Sequence, residues 1–193
     1  LRYMGARRTE NLALYSENIA AWVSGYNIAY TTGVNYLDGT QSTELTLGAA
    51  SNLGWLYKIT TLELRNTVIL SASFKKGVGG QGLFRVQDSA FSTGINATID
   101  LDTGAVTGTL NSVLKAHSSV DEGDGWWRFS ATFYANGSGT NFQYNIGVTG
   151  ATGDSVYATR FQLENVTNQS IQTAADYIPT TTTAVTKWFD TTQ

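Results

Sequence analysis

Along residues 126–134 the side chains alternate in character. Trp127, Phe129, Ala131 and Phe133 fall on one side, Arg128, Ser130, Thr132 and Tyr134 on the other. A period of two is the signature of a strand with one face in a core and the other wet or at an interface. Residues 67–74 repeat the pattern, with Val68, Leu70, Ala72 and Phe74 opposed to Thr67, Ile69, Ser71 and Ser73. Residues 156–164 give Tyr157, Thr159, Phe161 and Leu163 against Arg160, Gln162 and Glu164. Short runs rich in β-branched and aromatic residues at 12–15, 44–47, 55–59, 82–86, 97–101, 113–117 and 141–148 predict further strands, separated by turn sequences such as Asp102-Thr-Gly104 and Asn136-Gly-Ser-Gly139. Helical periodicity is nearly absent, and 17–23 and 170–176 predict a turn each. The whole reads as an all-β chain folded as an antiparallel two-sheet sandwich.

Three groups of residues carry more than periodicity. The first is Asn11-Leu-Ala-Leu-Tyr-Ser-Glu17 running into Ala20-Ala-Trp22, and the second is Asp124-Gly-Trp-Trp-Arg-Phe129. The third is Arg160-Phe-Gln-Leu-Glu164 followed by Tyr177-Ile-Pro-Thr180 and Val185-Thr186. In these the chain resembles a phage-associated, carbohydrate-binding-like jelly-roll domain of tail fibres, tailspikes and other virion proteins. Trp127 stands where that family usually has tyrosine, and Arg160-Phe161 replaces glycine-alanine, which predicts a differently shaped turn. The resemblance covers about residues 11 to 190 and implies a galactose-binding-like jelly roll. The boundaries expected are an N-terminal arm at 1–10, the sandwich at 11–178 and an extended segment at 179–193, where Pro179 disfavours helix.

Composition narrows the chemistry. With 41% hydrophobic residues in 193, a core needs no staples, while 14% charged residues leave a surface made mainly of Thr, Ser, Asn and Gly. There is no cysteine, so disulfides, thiolate chemistry and Cys-based metal sites are excluded. A net charge of −3 argues against nucleic acid as a partner. No apolar run reaches bilayer length, so membrane insertion is not expected. His117 is the one histidine and reads as a surface or structural residue, and the acidic residues lie mostly in turns; no catalytic constellation is legible.

The function expected first, from the resemblance, is a noncatalytic virion structural module for attachment, surface decoration or fibre and spike assembly, working at the virion surface or outside the cell. The alternative is a carbohydrate-binding module recognising host surface polysaccharide; a polysaccharide hydrolase or lyase ranks last. A sugar site needs an aromatic platform beside polar donors. Trp22, Trp55 and Trp126 are the leading candidates, with Tyr26, Tyr30, Tyr36 and Tyr134 behind them and Asn141, Gln143 and Asn145 on one polar strand face. The likeness to galactose-binding-like sandwiches implies a structural calcium, for which Glu17 and Glu164 hold comparable places in the sequence. Trimeric fibres and spikes commonly carry the resembling modules, which implies a homo-oligomer with a trimer favoured, alongside other virion proteins. The two ends are long enough to reach a neighbour, through Arg2, Met4, Arg7, Arg8, Trp188 and Phe189.

Overall fold

A computed structural model describes residues 6–22, 24–61, 66–88, 94–110, 114–134 and 141–190. Over these the chain forms two six-stranded antiparallel sheets and a short two-stranded ribbon. In chain order the strands are β1 (Ala6–Asn11), β2 (Ser24–Tyr26), β3 (Ile28–Asn35), β4 (Gln41–Leu47), β5 (Leu53–Thr61), β6 (Thr67–Lys76) and β7 (Gln81–Asp88). They continue as β8 (Gly94–Ile99), β9 (Val106–Leu110), β10 (Leu114–Gly123), β11 (Trp126–Tyr134), β12 (Asn141–Thr149), β13 (Ser155–Asn165) and β14 (Val185–Asp190). The first sheet has the order β10-β11-β6-β13-β4-β3 and the second β2-β5-β12-β7-β8-β9.

The predicted alternation holds best in β11, where Phe129, Ala131 and Phe133 are buried in the core. Facing them from the second sheet are Phe84, Val86, Phe142, Tyr144 and Ile146, and this inter-sheet layer is the hydrophobic centre of the molecule. In β13 the expected faces are reordered. A bulge between Thr159 and Gln162 shifts the phase, so Val156 and Ala158 join Phe161 and Leu163 in the core. At the bulge Arg160 adopts φ 55°, in the left-handed region that favours glycine. Its guanidinium, 4.5 Å from the Tyr36 ring centroid and 4.7 Å from that of Tyr177, holds the strained residue in place.

Residues 12–15, expected as a strand, leave the sheet instead. Asn11 Oδ1 accepts from Ala13 N at 3.0 Å and turns the chain, and Tyr15 has φ 57°. The strands that the sequence pattern did not mark, β1, β2, β3, β9 and β14, lie at edges or in the terminal ribbon, where burial imposes little alternation. Both end segments, expected as an arm and an extended tail, contribute strands to this molecule: β1 pairs antiparallel with β14, Arg7 opposite Phe189 and Arg8 opposite Trp188.

Behind the ribbon the motif residues form a clasp. Asn11 Nδ2 donates to Phe161 O at 3.2 Å and to Ile178 O at 2.7 Å, and Asn11 Oδ1 accepts also from Leu163 N at 3.0 Å. Ser16 Oγ lies 2.6 Å from the Tyr177 hydroxyl and accepts from Thr180 N at 2.8 Å. Gln162 Oε1 accepts from Ile178 N at 2.7 Å. Residues 67–74 of β6 are all buried although alternation predicted half of them wet, because the outer side is covered too: Ser71 accepts from Arg128, Ser73 donates to Glu122 and Thr67 accepts from Lys115.

Burial pushes the Tyr177 phenol well above its ordinary value, with Glu17 adding to the rise against the opposing Ser16 bond, and burial raises Tyr144 likewise. A folded pKa above the unfolded value of about 10 gives stability that is full below that pH and lost as the pH climbs towards the folded value. The melting temperature is therefore expected to be level near neutrality and to fall above about pH 10, less steeply in Tyr177→Phe. A pH series of thermal melts checks this; an identical alkaline slope in the variant refutes the role of Tyr177.

Candidate functional site

The outer face of the second sheet is where aromatic and polar side chains accumulate. Asn27 positions its edge. With φ 49° it carries the chain from β2 in the second sheet to β3 in the first, and its side chain locks the corner, Nδ2 donating to Ser51 O at 2.9 Å and Oδ1 accepting from Ala50 N at 2.9 Å. This sets Tyr26 directly opposite Trp55. Their rings lie 4.8 Å apart at 31°.

Register then builds rows across the sheet. One row runs Tyr26, Trp55, Gly147, Leu83, Thr98. The next runs Ser24, Tyr57, Asn145, Arg85, Asn96, and a third contains Ile59, Gln143 and Gln87. Gly147 belongs where it is because a Cβ there would collide with Gly54 O, so β5 and β12 approach closely beside Trp55. The Arg85 guanidinium carbon sits over the Trp55 ring, 4.6 Å from its centroid. Gln143 Nε2 donates to Asn145 Oδ1 at 2.7 Å.

The middle row is under-satisfied. Arg85 Nε, Asn96 Oδ1 and Asn145 Nδ2 are covered and have no hydrogen-bond partner, and they come from three adjacent strands. Each such atom costs about 1–3 kcal/mol unless something completes it. Desolvation lowers the Arg85 pKa, yet a guanidinium stays charged at working pH. No Asp or Glu side chain belongs to this face among the described residues.

A depression of about 540 Å³ lies on the outer side of the first sheet and is lined by His117, Ser118, Glu122, Arg128, Arg160 and Tyr177 among others. Its cations already face partners. Arg128 Nη2 donates to Ser71 Oγ at 2.8 Å, and Arg160 lies 3.9 Å from Glu122, which accepts from Ser73 at 2.7 Å. Although Arg128 Nη1 and Arg160 Nε lack partners, this groove is part of the clasp and mixes acid with base.

Of the aromatic residues expected to bind sugar, Trp55 lies on the second sheet's outer face and is half-buried. Trp22 and Trp126 require correction. Trp22 is 3% exposed, packed edge-on against Tyr144 and Phe161 at 5.4 and 4.9 Å, and Trp126 is 0% exposed beneath Tyr36 at 5.1 Å. Neither can present a ring to solvent. Tyr30 is exposed and Tyr134 half-buried, but both belong to the first sheet. Asn141, Gln143 and Asn145 do share the face with Trp55. Sequence reasoning missed Arg85, Asn96 and Tyr57; alternation of Arg85 and Gln87 with buried Phe84 and Val86 was the available signal.

The carboxylates expected to hold calcium are placed differently. Glu164 is 1% exposed and its Oε1 accepts from Gln162 Nε2 at 2.8 Å and Ala175 N at 3.0 Å, whereas Glu17 lines a shallow depression with Thr31, Gln41 and Ser42. No group of three or more His, Cys, Asp or Glu able to hold a metal occurs among the described residues. Of the expected interface residues, Arg2 and Met4 lie outside the described residues. Arg7 and Phe189 are placed by backbone pairing alone, Arg8 forms a 3.5 Å ion pair with Glu10, and Trp188 is 68% exposed.

Among solved structures the chain is similar to the enzymatically active domain of tailspike protein 4 from bacteriophage CBA120, with 14% identity, a TM-score of 0.52, and coverage of 79% of this chain and 21% of that one. It is also similar to the CBM22-1 xylan-binding domain of Xyn10C from Paenibacillus barcinonensis, with 12% identity, a TM-score of 0.52, and coverage of 82% and 93%. The fold is that of the carbohydrate-binding jelly rolls. The chain spans about a fifth of the tailspike structure and nearly all of the xylan-binding module. No protein-family model matches this jelly roll, and no curated protein does. No helix among the described residues is long and apolar enough to cross a membrane.

Proposed function

We propose that this jelly roll is a noncatalytic carbohydrate-binding module and that its glycan lies across the outer face of the second sheet. The observation that carries the reading is the combination on one face of the Tyr26 and Trp55 rings with the Arg85 guanidinium and the side-chain amides of Gln143 and Gln87. Sugar rings offer apolar C–H faces to aromatic groups and a rim of hydroxyls to amides and guanidinium, so both halves of the recognition are supplied. Tyr26, 45% exposed, is the ring most open to stacking, and Trp55 fixes its orientation. The likeness to a xylan-binding domain supports the fold as one suited to the task.

The order of the two readings drawn from sequence is thereby reversed. The first and third of the signatures that suggested a virion structural module are taken up by the clasp, and the second supplies buried Trp126 and Phe129, so all three serve folding. Adhesion of a phage particle to its host remains the setting we propose for the module, supported by those signatures and by the tailspike likeness. Mass spectrometry of purified particles tests the setting separately.

The binding experiment is a glycan array followed by titration. Trp55→Ala and Tyr26→Ala are expected to weaken binding about tenfold or more, the equivalent of roughly 1.4 kcal/mol, while leaving the fold intact. A folded protein that binds no glycan, or variants that bind as the parent does, would overturn the assignment.

A further inference from the structure

We propose that the face selects acidic glycans, with an anionic substituent, a carboxylate or a sulfate ester, bound at Arg85. The inference rests on the glycan-binding reading and specifies its ligand.

Four observations converge. Arg85 is the only charged side chain that the pairing register places in the rows of this face among the described residues, at the centre of the sheet rather than its rim. It has no ion-pair partner there; the ion pairs of the described residues involve Arg8, Lys75, Lys76 and Arg160. Its guanidinium carbon lies 4.6 Å from the Trp55 ring centroid, and a guanidinium braced on an aromatic ring presents a planar fork of donors suited to a carboxylate or sulfate. Its row neighbours Asn145 and Asn96 are neutral amides, so no carboxylate beside it in the row offsets its charge.

A neutral glycan would bury Arg85 further without neutralising it, at the cost of desolvating a charge. An anion repays that cost. The groove on the first sheet differs in this respect, because Glu122 lies 3.9 Å from Arg160 and its charge acts on Arg128 as well. The protein's net charge of −3 gives no general attraction for polyanions, so retention of an acidic polymer reports a local site.

The test uses the full chain and matched polymers: polygalacturonate, alginate and hyaluronate, each beside its carboxyl-reduced form, and dextran sulfate beside dextran. The parent protein is expected to bind at least one acidic polymer about tenfold more tightly than its neutral match, with the preference shrinking as salt is raised to several hundred millimolar. Whether the uronates or the sulfated polymer are retained identifies the anion. Arg85→Gln is expected to abolish the preference and Arg8→Gln, on the terminal ribbon, to leave it unchanged. Equal binding of neutral and acidic forms, a preference insensitive to salt, or one that survives in Arg85→Gln overturns the proposal. Should Arg85→Gln fail to fold, the matched-pair and salt measurements on the parent decide alone. Tight binding of neutral glycans lost in Trp55→Ala would leave the carbohydrate reading standing and remove only the acidic preference; binding of no polymer removes both.

Discussion

Replacing Asn11 with alanine is expected to lower the stability of the whole domain by about 3–5 kcal/mol, equivalent to a fall of about 10 °C in melting temperature for a chain of this size. The side chain is fully buried and makes four hydrogen bonds at once, donating to Phe161 O and Ile178 O and accepting from Ala13 N and Leu163 N. Alanine would leave two carbonyls and two N–H groups without partners in a site closed to solvent, and that desolvation penalty exceeds the value of the bonds themselves. The loss is long-range in sequence, since one amide joins the end of β1 to the bulge of β13 and to the segment entering Pro179. Chemical denaturation would show a lower midpoint with little change in slope. A loss under about 1 kcal/mol would show that the clasp does not hold the ends together.

Trp22→Ala is the second large effect, at about 3–5 kcal/mol for removing a fully packed aromatic side chain. Trp22, Tyr144 and Phe161 form a three-ring cluster, with Tyr144 and Phe161 stacked at 4.8 Å and 17°, and Trp22 edge-on to both. The cluster joins β12 to β13, one strand from each sheet, so the cavity opens between the layers. Glycan affinity of the folded fraction is expected to stay within about twofold of the parent, because the ring lies inside the sandwich and not on the proposed binding face. The contrast with Trp55→Ala, which should lose binding and keep stability, is the decisive comparison. Thermal melts combined with titration at a temperature where both variants are folded measure it. A Trp22→Ala protein that is stable but unable to bind would return that residue to the site.

The fold class was legible because β11, β6 and β12 have one face against a continuous core, and burial of that face forces a period of two on the sequence. The edge strands β2, β3 and β9 escaped notice because burial imposes little alternation on them. The bulge at Arg160 was half legible: the resembling modules place glycine there, the residue that a left-handed φ favours, and the departure to arginine pointed to an altered turn. What the sequence pattern did not show is that Tyr36 and Tyr177 receive the guanidinium, because Tyr36 lies far away along the chain and Tyr177 follows in a segment without strand periodicity.

The candidate site divides in the same way. From the sequence alone came the aromatic inventory, the polar alternation of Asn141, Gln143 and Asn145, the lack of cysteine and the low charge. These determine an all-β chain with the materials for a sugar site. Only the tertiary structure decided which tryptophan faces out, since Trp22, Trp55 and Trp126 have the same chemistry and differ in which layer covers them. It also decided that Asn145, Arg85 and Asn96 stand in one row, because cross-strand neighbours are set by register between β12, β7 and β8, and register is a property of pairing that no single strand's composition contains.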